Sequence, residues 1–315
     1  MTLAIVFPGQ GSQAVGMQAA LAEAHPEIRA TYAEASDELG FDLWELVQHG
    51  PAERLNETVV TQPAMLTAGV AAWRAWRGQG GPMPAFMAGH SLGEYTALTC
   101  AGALPFADAV RLVARRAELM QAAAPPGTGG MATVLGLDDD AVVAACREAA
   151  QGEVVSAVNF NCPGQVVIAG QRAAVERASE RARAAGAKRV LWLSVSVPAH
   201  CELMRPAADE LARALAAAPF RAPEVPVINN VDVEAYRTPE HIREGLRRQL
   251  YGPVRWTETV RHLVAQGVTT IVEAGPGKVL TGLVRRIDSS VRTVCLDSPS
   301  ILEEALREHG EPADE

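Results

Sequence analysis

The sequence predicts an α/β protein with a parallel sheet and a smaller β-α-β-β-α-β unit inserted into it. Three observations carry this reading. Short apolar runs such as Leu3–Phe7 alternate with helical patterns, and a continuous apolar run suits a strand buried on both faces of a parallel sheet. The pattern changes at Pro125-Pro126-Gly127-Thr128-Gly129-Gly130, after which strands and helices follow the order of a ferredoxin-like unit. From about residue 202 the strand–helix alternation resumes. The expected division is therefore a large catalytic domain, 1–127 and 197–315, and a small ferredoxin-like inserted domain, 128–196.

In chain order, the first strand ends in the loop Pro8-Gly9-Gln10-Gly11-Ser12-Gln13. Helical periodicity follows to about residue 46 and again over 61–77. An apolar strand at 85–88 leads into a helix over 92–98 and then a long amphipathic helix over 105–123. The insert reads as strand 131–135, helix 138–150, strand 154–159, a turn at 161–164, strand 165–169, helix 172–185 and strand 189–195. Afterwards come helix 202–217, strand 225–229, a helix ending near 250, helix 256–266, strand 269–273, a Gly275-Pro276-Gly277 loop and a final strand 293–296. From residue 303 the chain is charged and is expected to fray.

Composition narrows the function classes. At 315 residues, 48% hydrophobic and 21% charged, the chain is globular and long enough for a large core. A formal charge of −9 argues against general nucleic-acid binding, which needs a basic surface. The five cysteines have no C-x-x-C spacing, so neither a disulfide framework nor a metal site is expected. The start of the chain lacks the basic region of a signal peptide. No apolar stretch reaches the ~20 residues of a membrane span. The expectation is a cytoplasmic protein, with no membrane association.

The chemistry centres on Gly89-His90-Ser91-Leu92-Gly93. Strand, sharp turn and helix is the context of a G-x-S-x-G nucleophile elbow, which makes the large domain α/β-hydrolase-like. On these residues alone, a glycine-rich turn with a serine helix cap stays open. A serine nucleophile needs a base. His90 projects to the other side of the turn, and His25, His49, His241, His262 and His309 read as solvent-exposed. His200 stands where the insert returns the chain, beside an interdomain cleft; a structural role at a helix start is the alternative.

The long helix places Asp108, Arg111, Arg115 and Glu118 on a polar stripe, and Ala109, Val113, Arg116 and Met120 on the opposite apolar face. Arg115 is thus solvated, whereas Arg116 points at the core. A guanidinium there demands an anion, either a structural carboxylate or a ligand's. The Gly9-Gln10-Gly11 loop offers the Gln10 backbone amide, and Leu92 the amide next after the serine, as two halves of an oxyanion hole. Gly277-Lys278 is no phosphate loop, because Val272 and Val279 occupy the positions of the first glycine and the Ser/Thr.

Taken together, the motifs resemble the malonyl-CoA:acyl carrier protein transacylases and the related polyketide acyltransferases. They are Phe7-Pro8-Gly9-Gln10-Gly11-Ser12-Gln13, Thr61-Gln62-Pro63-Ala64, Gly89 to Glu94, Arg116 with Leu119-Met120-Gln121, and Asn159 to Gln165. Val195 to His200, Arg248-Gln249-Leu250-Tyr251 and Glu273 to Gly277 complete the set, so the resemblance spans nearly the whole chain. It implies a ping-pong transfer of malonyl from malonyl-CoA to the phosphopantetheine thiol of acyl carrier protein, in fatty acid synthesis. Ser91 would be the nucleophile, His200 its base and Arg116 the clamp on the free malonyl carboxylate. Gln10 and Leu92 would hold the oxyanion, Gln249 would lie at the site, and a main-chain carbonyl would take the place of a triad acid. No metal or cofactor is implied beyond the carrier's phosphopantetheine, and a monomer is expected.

Three positions matter beside that resemblance. Ala117 follows the arginine where the family often has glycine, and Cys162 stands where serine is expected. Val197-Pro198-Ala199-His200 lacks the Tyr-x-x-His of relatives that load methyl-branched units, which favours malonyl. A lipase-like hydrolase and an inactive docking module are the rival readings. Docking of an acidic carrier calls for a local basic patch, with Arg181, Arg183, Lys188, Arg189, Arg243, Arg247 and Arg248 as candidates.

Overall fold

The computed structural model describes residues 2–125, 127–193 and 197–309. Nine strands among these form two sheets. The first contains β1 (Leu3–Phe7), β2 (Phe86–Gly89), β7 (Val227–Ile228), β8 (Thr270–Glu273) and β9 (Arg292–Cys295), all parallel, in the order β7-β2-β1-β8-β9. Its central strand is buried throughout. Leu3, Ile5 and Phe7 face one apolar cluster, and Ala4 and Val6 face another built around Trp256, Leu263 and Leu283. This two-sided burial is why β1 reads as an unbroken apolar run.

The second sheet contains β3 (Gly129–Leu135), β4 (Val155–Cys162), β5 (Gln165–Gln171) and β6 (Arg189–Trp192), antiparallel in the order β4-β5-β3-β6. Helices Asp139–Ala150 and Arg172–Ala184 cover one face, where Ala132, Val134, Val166 and Ile168 pack against Val142 and Val175. The other face presents Met131, Val167 and Ala169 towards Cys201. The small sheet is tied to the segment before helix Trp256–Ala265 through Val254, whose N–H donates to Val158 O and whose carbonyl accepts from Phe160 N–H.

Several boundaries differ from expectation. The expected turn at 161–164 is only Pro163-Gly164, because β4 continues to Cys162 through irregular pairing with β5. Gly164 takes the positive φ of 74° that this tight reversal requires. The strand expected to reach 195 ends at Trp192 among the described residues, and 194–196 lie outside them. The strand expected over 225–229 shrinks to β7. The helix expected from 61 starts at Thr58 and contains Pro63.

Three helices go beyond the sequence reading, the shortest being Ala52–Leu55. Val279–Ile287 follows the Gly275-Pro276-Gly277 loop, with its first amides bonded to the Glu273 carboxylate. Pro299–His309 replaces the expected fraying from 303, because Leu302 and Ala305 are buried in the main core. Residues 310–315 lie outside the described chain. No helix among the described residues is long and apolar enough to cross a membrane.

Candidate active site

β2 runs directly into helix Leu92–Cys100, with only His90 and Ser91 between them. Ser91 has φ 51° and ψ −106°, a conformation that costs a non-glycine residue on the order of 1–3 kcal/mol. Its surroundings hold it there: Ser91 N–H donates to Asn230 Oδ1 (2.8 Å), and Ser91 O accepts from Gln249 Nε2 (2.9 Å). The flanking glycines are steric requirements. A Cβ on Gly89 would lie 1.9 Å from the Gly93 carbonyl, and one on Gly93 would lie 2.0 Å from Phe7 O. The first turn of the helix therefore passes too close to the ends of both β2 and β1 for any side chain.

The serine hydroxyl meets a histidine. Ser91 Oγ lies 2.7 Å from His200 Nε2, and His200 Nδ1 lies 2.7 Å from the main-chain oxygen of Gln249. That oxygen only accepts, so Nδ1 carries the proton and Nε2 has a lone pair facing the serine O–H. His200 has φ 65°, and its N–H donates to Leu250 O (2.9 Å). Burial, reinforced by the nearby Arg116 cation, lowers the His200 pKa to about 3. The imidazole is neutral at physiological pH.

Arg116 is 1% exposed. Its Nη1 donates to Gln62 Oε1 (2.5 Å), and its Nη2 reaches Gln249 Oε1 (3.2 Å) and Ser91 Oγ (3.3 Å). The guanidinium also lies over the Tyr95 ring, 5.4 Å from the centroid. Nε has no hydrogen-bond partner among the described residues. The choice left open by the sequence now resolves at the level of contacts: its hydrogen bonds go to neutral amides and a hydroxyl, not to a structural carboxylate. Arg115, by contrast, is half exposed and paired with Glu118.

The loop after β1 abuts the elbow. A Cβ on Gly9 would lie 2.5 Å from His90 O and 3.8 Å from Leu92 N, which brings Gln10 beside Leu92. Both line one cavity with Ser91, Arg116 and His200, and Met131 and Leu193 from the small-sheet segment line it too. The structure thus gathers Ser91, His200, Arg116, Gln10, Leu92 and Gln249 in one place.

Other histidines do not follow the expectation of exposure. His49 is exposed, but His25 is buried at the start of helix Pro26–Leu39, and His241, His262 and His309 are partly buried. Helical amphipathicity places these rings at the edge of the buried face, which a polar-looking sequence window conceals. His90 turns away from the serine, bonding Asn161 Oδ1 at 2.8 Å beside Trp256. All five cysteines are buried and unpaired, and among the described residues no cluster of three or more His, Cys, Asp or Glu could hold a metal ion.

Residue-level reasoning missed the roles of Gln62, Glu94 and Asn230. Asn230 bonds both Ser91 N and Gly89 O, and its own N–H donates to the buried Glu94 carboxylate at 2.8 Å. The available signal was position: Asn230 follows β7 at the carboxyl edge of the sheet, where ligand sites of α/β folds gather.

Fold and site together define a class: α/β proteins with a serine on a strand-to-helix elbow, hydrogen-bonded to a histidine that a main-chain carbonyl orients. Within that class, the chain belongs to the acyl transferase domain family, which matches residues 4–296. It is 60% identical over 303 residues to the malonyl CoA-acyl carrier protein transacylase of Salmonella typhimurium, covering 96% of this chain and 98% of that protein. The Escherichia coli K12 protein of the same name is 59% identical with the same coverage. A solved acyl carrier protein S-malonyltransferase from Vibrio cholerae superposes with a TM-score of 0.95 at 58% identity, over 96% of this chain and 99% of that one. A malonyl-transacylase solved in complex with its type II PKS acyl-carrier protein gives a TM-score of 0.97 at 56% identity, covering 98% and 100%.

Proposed function

We propose that this protein transfers malonyl from malonyl-CoA to the phosphopantetheine thiol of acyl carrier protein through a malonyl-serine intermediate. One observation carries the mechanism: Ser91 Oγ sits between His200 Nε2 at 2.7 Å and Arg116 Nη2 at 3.3 Å. A base on one side and a buried cation on the other select an acyl group that carries its own carboxylate. A planar carboxylate is the natural bidentate partner of a guanidinium. The family membership and the names of the relatives support the same activity.

In the first half-reaction, His200 Nε2 takes the Ser91 proton as Oγ attacks the thioester carbonyl carbon. The amides of Gln10 and Leu92 hold the oxyanion of the tetrahedral adduct. Its collapse breaks the C–S bond, and the coenzyme A thiolate leaves with the proton from His200. In the second half, His200 takes the proton of the carrier's thiol, sulfur attacks the malonyl-serine ester, and Ser91 leaves reprotonated. The Gln249 carbonyl keeps the imidazole in the competent tautomer throughout. This chemistry calls on no metal and on no cofactor other than the phosphopantetheine that its substrates bring.

The same reading assigns the product to fatty acid synthesis in the cytoplasm and the protein to a monomeric state. It treats 128–196 as a small domain closing the cleft over the large domain of 1–127 and 197–315. Of the candidate basic residues for the carrier, Arg181, Arg243, Arg247 and Arg248 pair with carboxylates. Arg183, Lys188 and Arg189 have no carboxylate partner among the described residues, and they narrow the patch to the neighbourhood of β6.

Intact mass after mixing with malonyl-CoA, without carrier, tests the reading. Wild type should gain one malonyl group, and Ser91→Ala none. Steady release of free coenzyme A without an adduct would identify a thioesterase instead.

A further inference from the structure

Glu94 is a fully buried carboxylate three residues after the serine, with a role in none of the steps above. It sits in the first turn of helix Leu92–Cys100, where a negative charge is favoured by the helix dipole. Three donors converge on it. Tyr236 O–H donates to Oε1 (2.6 Å), while Asn230 N–H (2.8 Å) and Gln249 Nε2 (3.1 Å) donate to Oε2.

The last of these contacts has consequences at Ser91. The Gln249 amide faces two environments. On one side lie only acceptors: Glu94 Oε2, Ser91 O and, at 3.4 Å, Asn230 Oδ1. On the other lies only a donor, Arg116 Nη2. One orientation satisfies both sides, with NH2 towards Glu94 and Oε1 towards Arg116. The flipped amide would set oxygen against three acceptors and NH2 against a guanidinium. Among these described partners, Glu94 alone carries a formal negative charge.

The spacing matters as much as the sign. A carboxylate in direct contact with Arg116 would form a buried ion pair and occupy the guanidinium. Held one amide away, Glu94 offsets the cation's field and leaves its donors to neutral, displaceable partners.

We propose that ionised Glu94 is a positioning residue that sets the Gln249 amide and keeps Arg116 charged yet unpaired for the carboxylate of the incoming acyl group. This rests on the reading of Arg116 as the malonyl clamp. The groups facing Glu94 are Tyr236, Asn230, Gln249, the Arg116 guanidinium and the neighbouring Tyr95. Burial raises the Glu94 pKa to about 7 against the pull of its hydrogen bonds and of Arg116. Malonyl loading should therefore lose efficiency as pH falls through neutrality. The His200 titration, at about 3, lies well below that window.

The test is rapid-quench acylation of Ser91 by malonyl-CoA and by acetyl-CoA between pH 5.5 and 9, in wild type, Glu94→Gln and Tyr236→Phe. For Glu94→Gln the expected result is a malonyl kcat/KM about 10- to 100-fold lower, the range of a lost hydrogen bond to a charged group. Acetyl loading should change far less, and the acid limb near pH 7 should vanish. Tyr236→Phe removes one donor to the carboxylate, so it should move that limb to higher pH; it also carries the test if Glu94→Gln does not fold. An unchanged limb in either folded variant, or equal loss for the two acyl groups, overturns the proposal. Wild type that takes up no acyl group would instead sink the transferase reading itself.

Discussion

In the proposed mechanism, one side chain, Arg116, converts a general serine–histidine pair into a selective one. A buried guanidinium keeps its proton even though burial lowers its pKa, and it demands a negative partner. Gln62 and Gln249 give it dipoles only. Arg116→Ala should therefore weaken malonyl loading by about 2–5 kcal/mol in transition-state terms, as for a lost buried charge pair. Acetyl loading should fall much less. Comparison of kcat/KM for the two thioesters checks this, and equal losses would make the arginine structural. The arginine was legible because a charge on the apolar stripe of an amphipathic helix is conspicuous. Its partners were not, since Gln62 and Gln249 are distant in sequence and look like ordinary polar residues.

At the scale of elements, Glu273 ties β8 to the helix that follows it. Its carboxylate accepts from Leu280 N–H at 3.0 Å and Thr281 N–H at 2.8 Å, satisfying amides that open helix Val279–Ile287. Glu273→Ala should cost about 1–3 kcal/mol, because buried donors lose a charged acceptor. Denaturant unfolding measures this. Burial raises the Glu273 pKa to about 7, so the carboxylate pays a desolvation penalty that its two amides partly offset. The helix escaped the sequence reading because its N-cap partner lies back in the strand, across the Gly275-Pro276-Gly277 loop. The elbow, by contrast, was legible from its glycine spacing: Gly89 meets Gly93 within the motif itself, although the demand on Gly93 comes from Phe7 at the end of β1.

Across the whole molecule, burial of the site links stability to pH. His200 has its pKa lowered to about 3 from an ordinary 6.5. Between these values the unfolded chain binds a proton that the folded one refuses, so this histidine's contribution to stability falls as pH drops below 6.5. Glu94 and Glu273, both raised to about 7, act in the opposite sense: the stability they contribute is present at low pH and lost as pH rises from 4.5 through 7. A difference measurement separates them. The stability of wild type minus that of His200→Asn should rise with pH by up to about 1.4 kcal/mol per unit between pH 4 and 6. Urea unfolding at several pH values reads it, and a flat difference would show that His200 titrates normally.

The sequence by itself determined the two-sheet α/β architecture, the serine elbow, His200 as the candidate partner of the serine and the arginine on the wrong face of its helix. Each of these is written in short-range periodicity, glycine spacing or a charge out of place. Only the tertiary structure decided that Glu94, Asn230 and Gln249 form one hydrogen-bonded hub beneath the serine, and that β8 caps a helix. These contacts join residues up to 158 positions apart. Local pattern carries no record of which buried donor will meet which buried acceptor, because that pairing is fixed by how the layers pack.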